Sequence, residues 1–205
     1  MNSSDGKIFP RKVRKGTFIG LVQLERAGVF QGEDTRRLGI SQPTLSRLLA
    51  RGSVKRIGRG FYAHRSSKLD PRWWPFAMAC YKFGYRSTIC GPSALYFHDL
   101  IPDPPPKIWI IVDKQQKTMV KGYRCLRIQT NPDIGVKQFG QFRITNLERT
   151  LVECLKYSSK IGKELAETVL RNALADRLTT KMNLIRMSGA LGFYRVQERI
   201  LLLED

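Results

Sequence analysis

Between Thr17 and Ala27 the apolar residues Phe18, Leu21, Val22 and Leu24 fall close to one helical face, and Gly28 follows where a helix end favours a left-handed residue. This predicts a first helix. From Glu33 to Gly52 the chain reads as two crossed helices: Gly39 suits the tight turn, Ser41 suits an N-cap, and Pro43 is tolerated in a first turn. In the second of these helices Leu45, Leu48 and Leu49 share a face; Pro43, Arg47 and Ala50 point the other way, flanked by Thr44, Ser46 and Arg51. Val54, Ile57, Phe61 and Tyr62, placed around Gly58-Arg59-Gly60, then predict a two-stranded hairpin. Helix, helix-turn-helix and hairpin in this order predict a winged helix-turn-helix.

Residues 72–83 and 91–98 read as helices whose aromatic density marks them as core. Lys107–Asp113 is a short β-branched run behind the stiff Pro104-Pro105-Pro106, the pattern of a buried strand. Tyr123–Gln129 and Gly140–Ile144 predict two more strands. Thr145-Asn146-Leu147-Glu148 satisfies a capping-box pattern with Thr145 as cap, opening a helix that buries Leu147, Leu151, Val152 and Leu155. Ile161–Arg177 repeats the pattern through Leu165, Val169, Leu170 and Leu174, and two further helices are predicted at Thr180–Ser188 and Phe193–Leu203. The predicted class is α+β: a winged helix followed by a small β-sheet and a C-terminal bundle of about four helices. The polar run from Arg65 to Pro71 places the expected domain boundary between 1–65 and 66–205.

Charge sharpens this picture. The 205 residues carry Lys+Arg 36 against Asp+Glu 17, a net charge of +19, with 42% hydrophobic residues, too many for a disordered basic tail. Residues 1–65 hold fourteen of the cations against four acids, and the remainder twenty-two against thirteen. Such an excess points first to nucleic acid, with an anionic membrane surface or an acidic protein as the other sources of a polyanionic partner. No apolar run has the length of a membrane span and Met1–Gly16 has no apolar core of a signal peptide, so a cytoplasmic location without membrane contact is expected. Cys80, Cys90, Cys125 and Cys154 have no metal-ligand spacing and only His64 and His98 accompany them, so reduced buried thiols and no metal or cofactor are expected.

The candidate DNA contacts follow from the outward face of the second crossed helix. Gln42, Thr44, Ser46 and Arg47 are placed to read base edges, with Arg51 beside them. Lys55, Arg56 and Arg59 are expected on the wing, the two arginines at its tip, with Arg11, Lys12, Arg14 and Lys15 adding attraction for phosphate. An ordinary helical hairpin with a solvated face is the competing reading. For catalysis, Gly91-Pro92-Ser93 resembles a nucleophile elbow without its second glycine. Opening a nucleotidyltransferase site there would leave Asp113 as its one strand carboxylate, too few for two metals. His98-Asp99 at a helix end could pair as acid and base, and no phosphate-cradling glycine loop occurs. The chain is therefore expected not to be an enzyme.

Over nearly its whole length the chain resembles the AbiEi family, the regulator half of AbiE-type abortive-infection toxin–antitoxin systems. The resemblance rests on Arg-Leu-Gly-Ile-Ser at 37–41 and Ile-Gly-Arg-Gly-Phe-Tyr at 57–62. Cys90–Leu95, Lys107–Val112, and Arg143-Ile144-Thr145 leading into Glu148–Leu155 continue it. The chain departs from the family at Asn146-Leu147, where an Asp-Pro type of helix start is usual. The resemblance implies that the N-terminal domain binds inverted repeats in its own promoter and represses it, while the C-terminal domain neutralises a nucleotidyltransferase-type toxin encoded next door. Lys156, Lys160, Lys163, Arg171 and Arg177 on the late helices are the candidate neutralising surface, against the reading that they form a solvated helix face. A solitary winged-helix regulator with a ligand-sensing or assembly domain is the alternative, and a nucleic-acid-modifying enzyme using Asp99 or Asp113 is a third reading.

Overall fold

The computed structural model describes residues 17–84, 86–113, 118–127 and 130–202. Arg11, Lys12, Arg14 and Lys15, and the end of the strand expected up to Gln129, lie outside the described residues, as does the side chain of Phe18. The chain forms two compact units, Met1–Tyr85 and Arg86–Asp205. Among the described residues no helix is long and apolar enough to cross a membrane. The class is α+β.

The first unit runs α1 (Thr17–Ala27), β1 (Val29–Gln31), α2 (Gly32–Arg37), α3 (Gln42–Ala50), β2 (Val54–Gly58), β3 (Phe61–His64) and, after a 3-10 turn at Pro71–Trp73, α4 (Trp74–Phe83). Its strands form an antiparallel sheet in the order β1-β3-β2. The turn between α2 and α3 is made by Gly39 at φ +72°. The Gly39 N–H donates to the Arg36 carbonyl at 3.1 Å and the Ile40 N–H to that of Thr35 at 2.8 Å, which closes α2 and redirects the chain into α3. Leu24, Phe30, Leu38, Ile40, Leu45 and Val54 bury the core beneath this turn, with Leu48 and Leu49 packed against them.

The boundary expected at 65/66 is corrected, because the first unit continues through α4. Tyr81 donates its hydroxyl to Asp34 Oδ2 at 2.8 Å, and its ring meets Phe61 edge-on at 5.9 Å between centroids. Burial, reinforced by the Asp34 charge, pushes the Tyr81 hydroxyl far above its ordinary range, so it stays a neutral donor. The polar run after His64 is a surface loop, tied back where Ser66 donates to Glu25 at 3.0 Å, and not the end of a folding unit.

The second unit contains β4 (Thr88–Ile89), α5 (Gly91–Phe97), β5 (Ile108–Ile111), β6 (Tyr123–Leu126), β7 (Val136–Phe139), β8 (Phe142–Thr145), α6 (Leu147–Lys156), the single-turn α7 (Ser158–Ile161), α8 (Lys163–Ala175), α9 (Lys181–Ala190) and α10 (Tyr194–Leu201). The sheet order is β6-β5-β4-β8-β7, with β5 parallel to β6 and β4 parallel to β8. Leu95, Leu151, Val152, Leu155, Val169, Leu170, Leu184, Phe193, Val196 and Ile200 form the core of the helical part. The capping box at Thr145 is also corrected. Thr145 remains in the β7·β8 ladder opposite Val136, so the cap falls one residue later, where Asn146 Oδ1 accepts the Arg149 N–H at 2.9 Å.

His98 ends α5, and its Nε2 lies 2.9 Å from the Thr145 carbonyl, which requires that nitrogen to carry the proton. Burial holds its pKa below the ordinary value, against the opposing pull of that carbonyl. A base whose folded pKa is depressed stabilises the fold fully above its unfolded pKa of about 6.5, and that contribution is lost as pH falls below it. Thermal melting from about pH 7.5 down to about pH 5 is therefore expected to fall more steeply for the wild type than for His98→Gln. Parallel curves would refute the assignment.

Candidate nucleic-acid interface

The start of α3 is set by its own sequence. Ser41, in extended conformation, accepts the Thr44 N–H at 3.4 Å, and its hydroxyl lies 2.9 Å from that of Thr44. Gln42, Pro43, Ser46, Arg47, Ala50 and Arg51 are exposed, and at about 100° per residue they form one continuous face opposite the fully buried Leu45. Thr44 is turned to the flank, half-buried, with its hydroxyl engaged at the cap.

The wing departs from expectation in one respect. Arg59 stands exposed at the turn, whereas Arg56 lies within β2 opposite Tyr62, because the ladder steps from Arg56 to Gly58 across a bulge at Ile57. A bulge turns the strand and re-aims the side chains beside it. Lys55, opposite Ala63, is exposed too.

The starts of α2 and α3 and the wing enclose a cavity of about 410 Å³, lined by Gln31, Glu33, Arg36, Gln42, Arg59 and Tyr62, among others. It brings Gln42 and Arg59 together and adds Arg36, which the sequence reading missed. A signal was present in the spacing. Glu33 and Asp34 stand four and three residues before Arg37 and both pair with it, the latter at 3.5 Å, which leaves its neighbour Arg36 exposed. Among the described residues Arg36, Arg47, Arg51, Lys55, Arg56 and Arg59 make no ion pair.

In the second unit Lys156, Lys160, Lys163, Arg171 and Arg177 are all exposed but do not form one cluster. Lys163 opens α8 and Arg177 lies just beyond its far end, in the left-handed conformation at φ 56°. Lys156 Nζ sits 5.2 Å from the Phe193 ring centre and Lys160 Nζ 5.7 Å from that of Tyr157. Of the residues weighed for catalysis, Ser93 and His98 have structural partners, while Asp99 and Asp113 are exposed. Ser93 is fully buried, and its Oγ accepts the Trp109 N–H at 2.9 Å. Asp99 occupies the left-handed position closing α5, at φ 56°. Among the described residues no group of three or more His, Cys, Asp or Glu side chains is arranged to hold a metal ion.

Residues 21–63, from within α1 to β3, match a family model described as "Transcriptional regulator, AbiEi antitoxin". The first unit is thus similar, over those residues, to the AbiEi antitoxin family of transcriptional regulators. The second unit lies outside the matched span. The crystal structure of RV2827C protein from Mycobacterium tuberculosis is similar to the chain at 17% identity and a TM-score of 0.55, covering 93% of this chain and 78% of that one. At that identity the likeness is one of fold, and at 93% coverage it extends over both units. No curated protein matches the chain.

Proposed function

We propose that the chain is a cytoplasmic autorepressor and antitoxin. Its AbiEi winged helix binds inverted repeats in the promoter of its own operon, and the second unit neutralises a nucleotidyltransferase-type toxin encoded beside it. The observation that carries this reading is the continuous exposed face of α3, small, polar and cationic, beside a wing whose arginines have no acidic partner among the described residues. Gln42, Ser46 and Arg47 read base edges, while Arg51, Lys55, Arg56 and Arg59, joined by Arg36, hold phosphates. Thr44 acts by engaging the hydroxyl of Ser41, the cap of the helix that presents them.

Arg47→Ala is expected to weaken promoter DNA by about 1–3 kcal/mol and to relax the preference at one base pair. Arg59→Ala should instead weaken all duplexes alike and reduce the slope of log affinity against log salt by about 1. Fluorescence anisotropy on promoter and scrambled duplexes over a range of salt separates the two. Equal losses on both duplexes would move Arg47 to the phosphates, and no loss for either variant would sink the DNA reading.

For the antitoxin half, full-length protein with Lys160→Glu and Lys163→Glu is expected to lose rescue of cells expressing the neighbouring gene. Undiminished rescue would remove this surface from neutralisation. A harmless neighbour would leave the solitary regulator as the reading.

A further inference from the structure

A second concave site lies in the C-terminal unit, which holds none of the residues assigned to DNA. Its cavity of about 530 Å³ is lined by Lys107, Lys121, Arg124 and Lys160, with Tyr123 and Leu126 in its wall and no Asp or Glu among its described lining residues. The four cations come from three separate stretches of the chain. The pairing of Ile108 with Tyr123, and the bond from the Ile108 N–H to the Gly122 carbonyl at 3.0 Å, bring the chain at Lys107 alongside the Lys121–Tyr123 segment, and α7 brings Lys160 to the same rim.

Two of these cations are already held in place. Arg124 Cζ lies 5.7 Å from the Trp109 ring centre, and Lys160 Nζ lies 5.7 Å from that of Tyr157. A cation parked over an aromatic face loses less conformational freedom when an anion arrives, and a guanidinium offers paired donors to phosphate oxygens. Gathering four like charges with no carboxylate between them costs repulsion that an anionic ligand relieves. The cavity has the volume of a site for a small organic ligand and is too large for a single phosphate. Tyr123 and Leu126 supply apolar wall against which a base or sugar can lie.

We propose that this cavity binds a nucleotide carrying two or more phosphates, its phosphate chain on Lys107, Lys121, Arg124 and Lys160 and its nucleoside against Tyr123 and Leu126. The second unit would then respond to a nucleoside polyphosphate independently of DNA. The site shares Lys160 with the toxin-facing surface, so its test leaves that residue untouched.

The experiment is calorimetric titration of the full chain with ATP, and separately with GTP, CTP and UTP, at near-physiological salt. Saturable binding of at least one is expected. Lys121→Ala/Arg124→Ala should weaken it by about tenfold or more while melting as the wild type does. Arg186→Ala/Arg195→Ala, which removes the same charge from exposed positions on α9 and α10, should leave it unchanged. Tripolyphosphate is expected to compete less tightly than the best nucleotide, and inorganic phosphate far less. Absence of saturable binding, indifference to the first double variant, or equal loss in the second would overturn the proposal. Equal affinity for tripolyphosphate would strike out the nucleoside. Tighter binding of single-stranded RNA, lost in the first variant, would replace the nucleotide site with an RNA track.

Discussion

Arg149→Ala is expected to destabilise the second unit by about 3–5 kcal/mol, the largest loss for a single side chain in that unit. Arg149 is 0% exposed, and its Nε donates to Glu153 Oε1 at 2.8 Å one turn along α6. Its Nη1 donates to the carbonyls of Ile134 and Asn131, the latter at 3.3 Å, so one guanidinium pins the 130–135 segment to α6. Burial pushes the Glu153 carboxyl above its ordinary range and the Arg149 charge opposes that shift. Removing the arginine leaves a buried carboxyl and two backbone carbonyls without their donor. Urea unfolding of Arg149→Ala, Glu153→Ala and Arg149→Met/Glu153→Leu tests this. The paired replacement is expected to recover part of the loss by removing the orphaned carboxyl, but not all, because the two carbonyls still lack a donor. Full recovery would show that the carbonyl bonds contribute nothing. A loss under about 1 kcal/mol for Arg149→Ala would refute the account.

Gly20→Ala is expected to damage the winged helix, against the helix-propensity rule. In a helix interior Ala is ordinarily favoured over Gly by about 0.5–1 kcal/mol. Here a Cβ on Gly20 would collide with the Leu38 carbonyl oxygen, which belongs to the backbone of the helix-turn-helix turn. Backbone cannot swing away as a side-chain end can, so α1 and the turn must separate, at about 1–3 kcal/mol or more. The turn orients α3, so the loss should appear both as a lowered melting transition and as weaker DNA binding. Gly58→Ala is the contrast. Its Cβ would meet the flexible Met78 Cε at 2.6 Å, so a small shift of that side chain suffices and the effect should be slight. A Gly20→Ala protein as stable as the wild type would refute the argument.

The elements of the winged helix were legible because their signals are local. Gly39, Ser41 and the Leu45–Leu48–Leu49 stripe each act within a turn of the chain, and the structure bears out all three. Strands β4 and β7 were missed for the opposite reason. β4 is only Thr88–Ile89, too short for any alternation, and β7 reads Val-Lys-Gln-Phe with little apolar content. Each is a strand because of its neighbours. The Ile89↔Ile144 pairing holds β4 in the sheet, and the turn at Gly140 folds β7 against β8 so that the Phe139 and Phe142 rings meet at 5.3 Å.

The candidate site divides in the same way. Which residues of α3 face outward was readable, because helical period and burial of leucine decide it. That Arg36 joins Gln42 and Arg59 at one cavity, and that Arg56 sits on a strand behind a bulge, depend on how α2, α3 and the wing meet. The sequence by itself determined a basic winged helix followed by a mixed domain, since charge, period and capping are properties of neighbouring residues. Only the tertiary structure decided that α4 belongs to the first unit, that Arg149 is buried, and that Lys107, Lys121, Arg124 and Lys160 share a cavity. The hydrogen bond between Tyr81 and Asp34, 47 residues apart, and the contact of the Tyr81 and Phe61 rings contribute to the first of these choices, and contacts of that range leave no mark on local pattern.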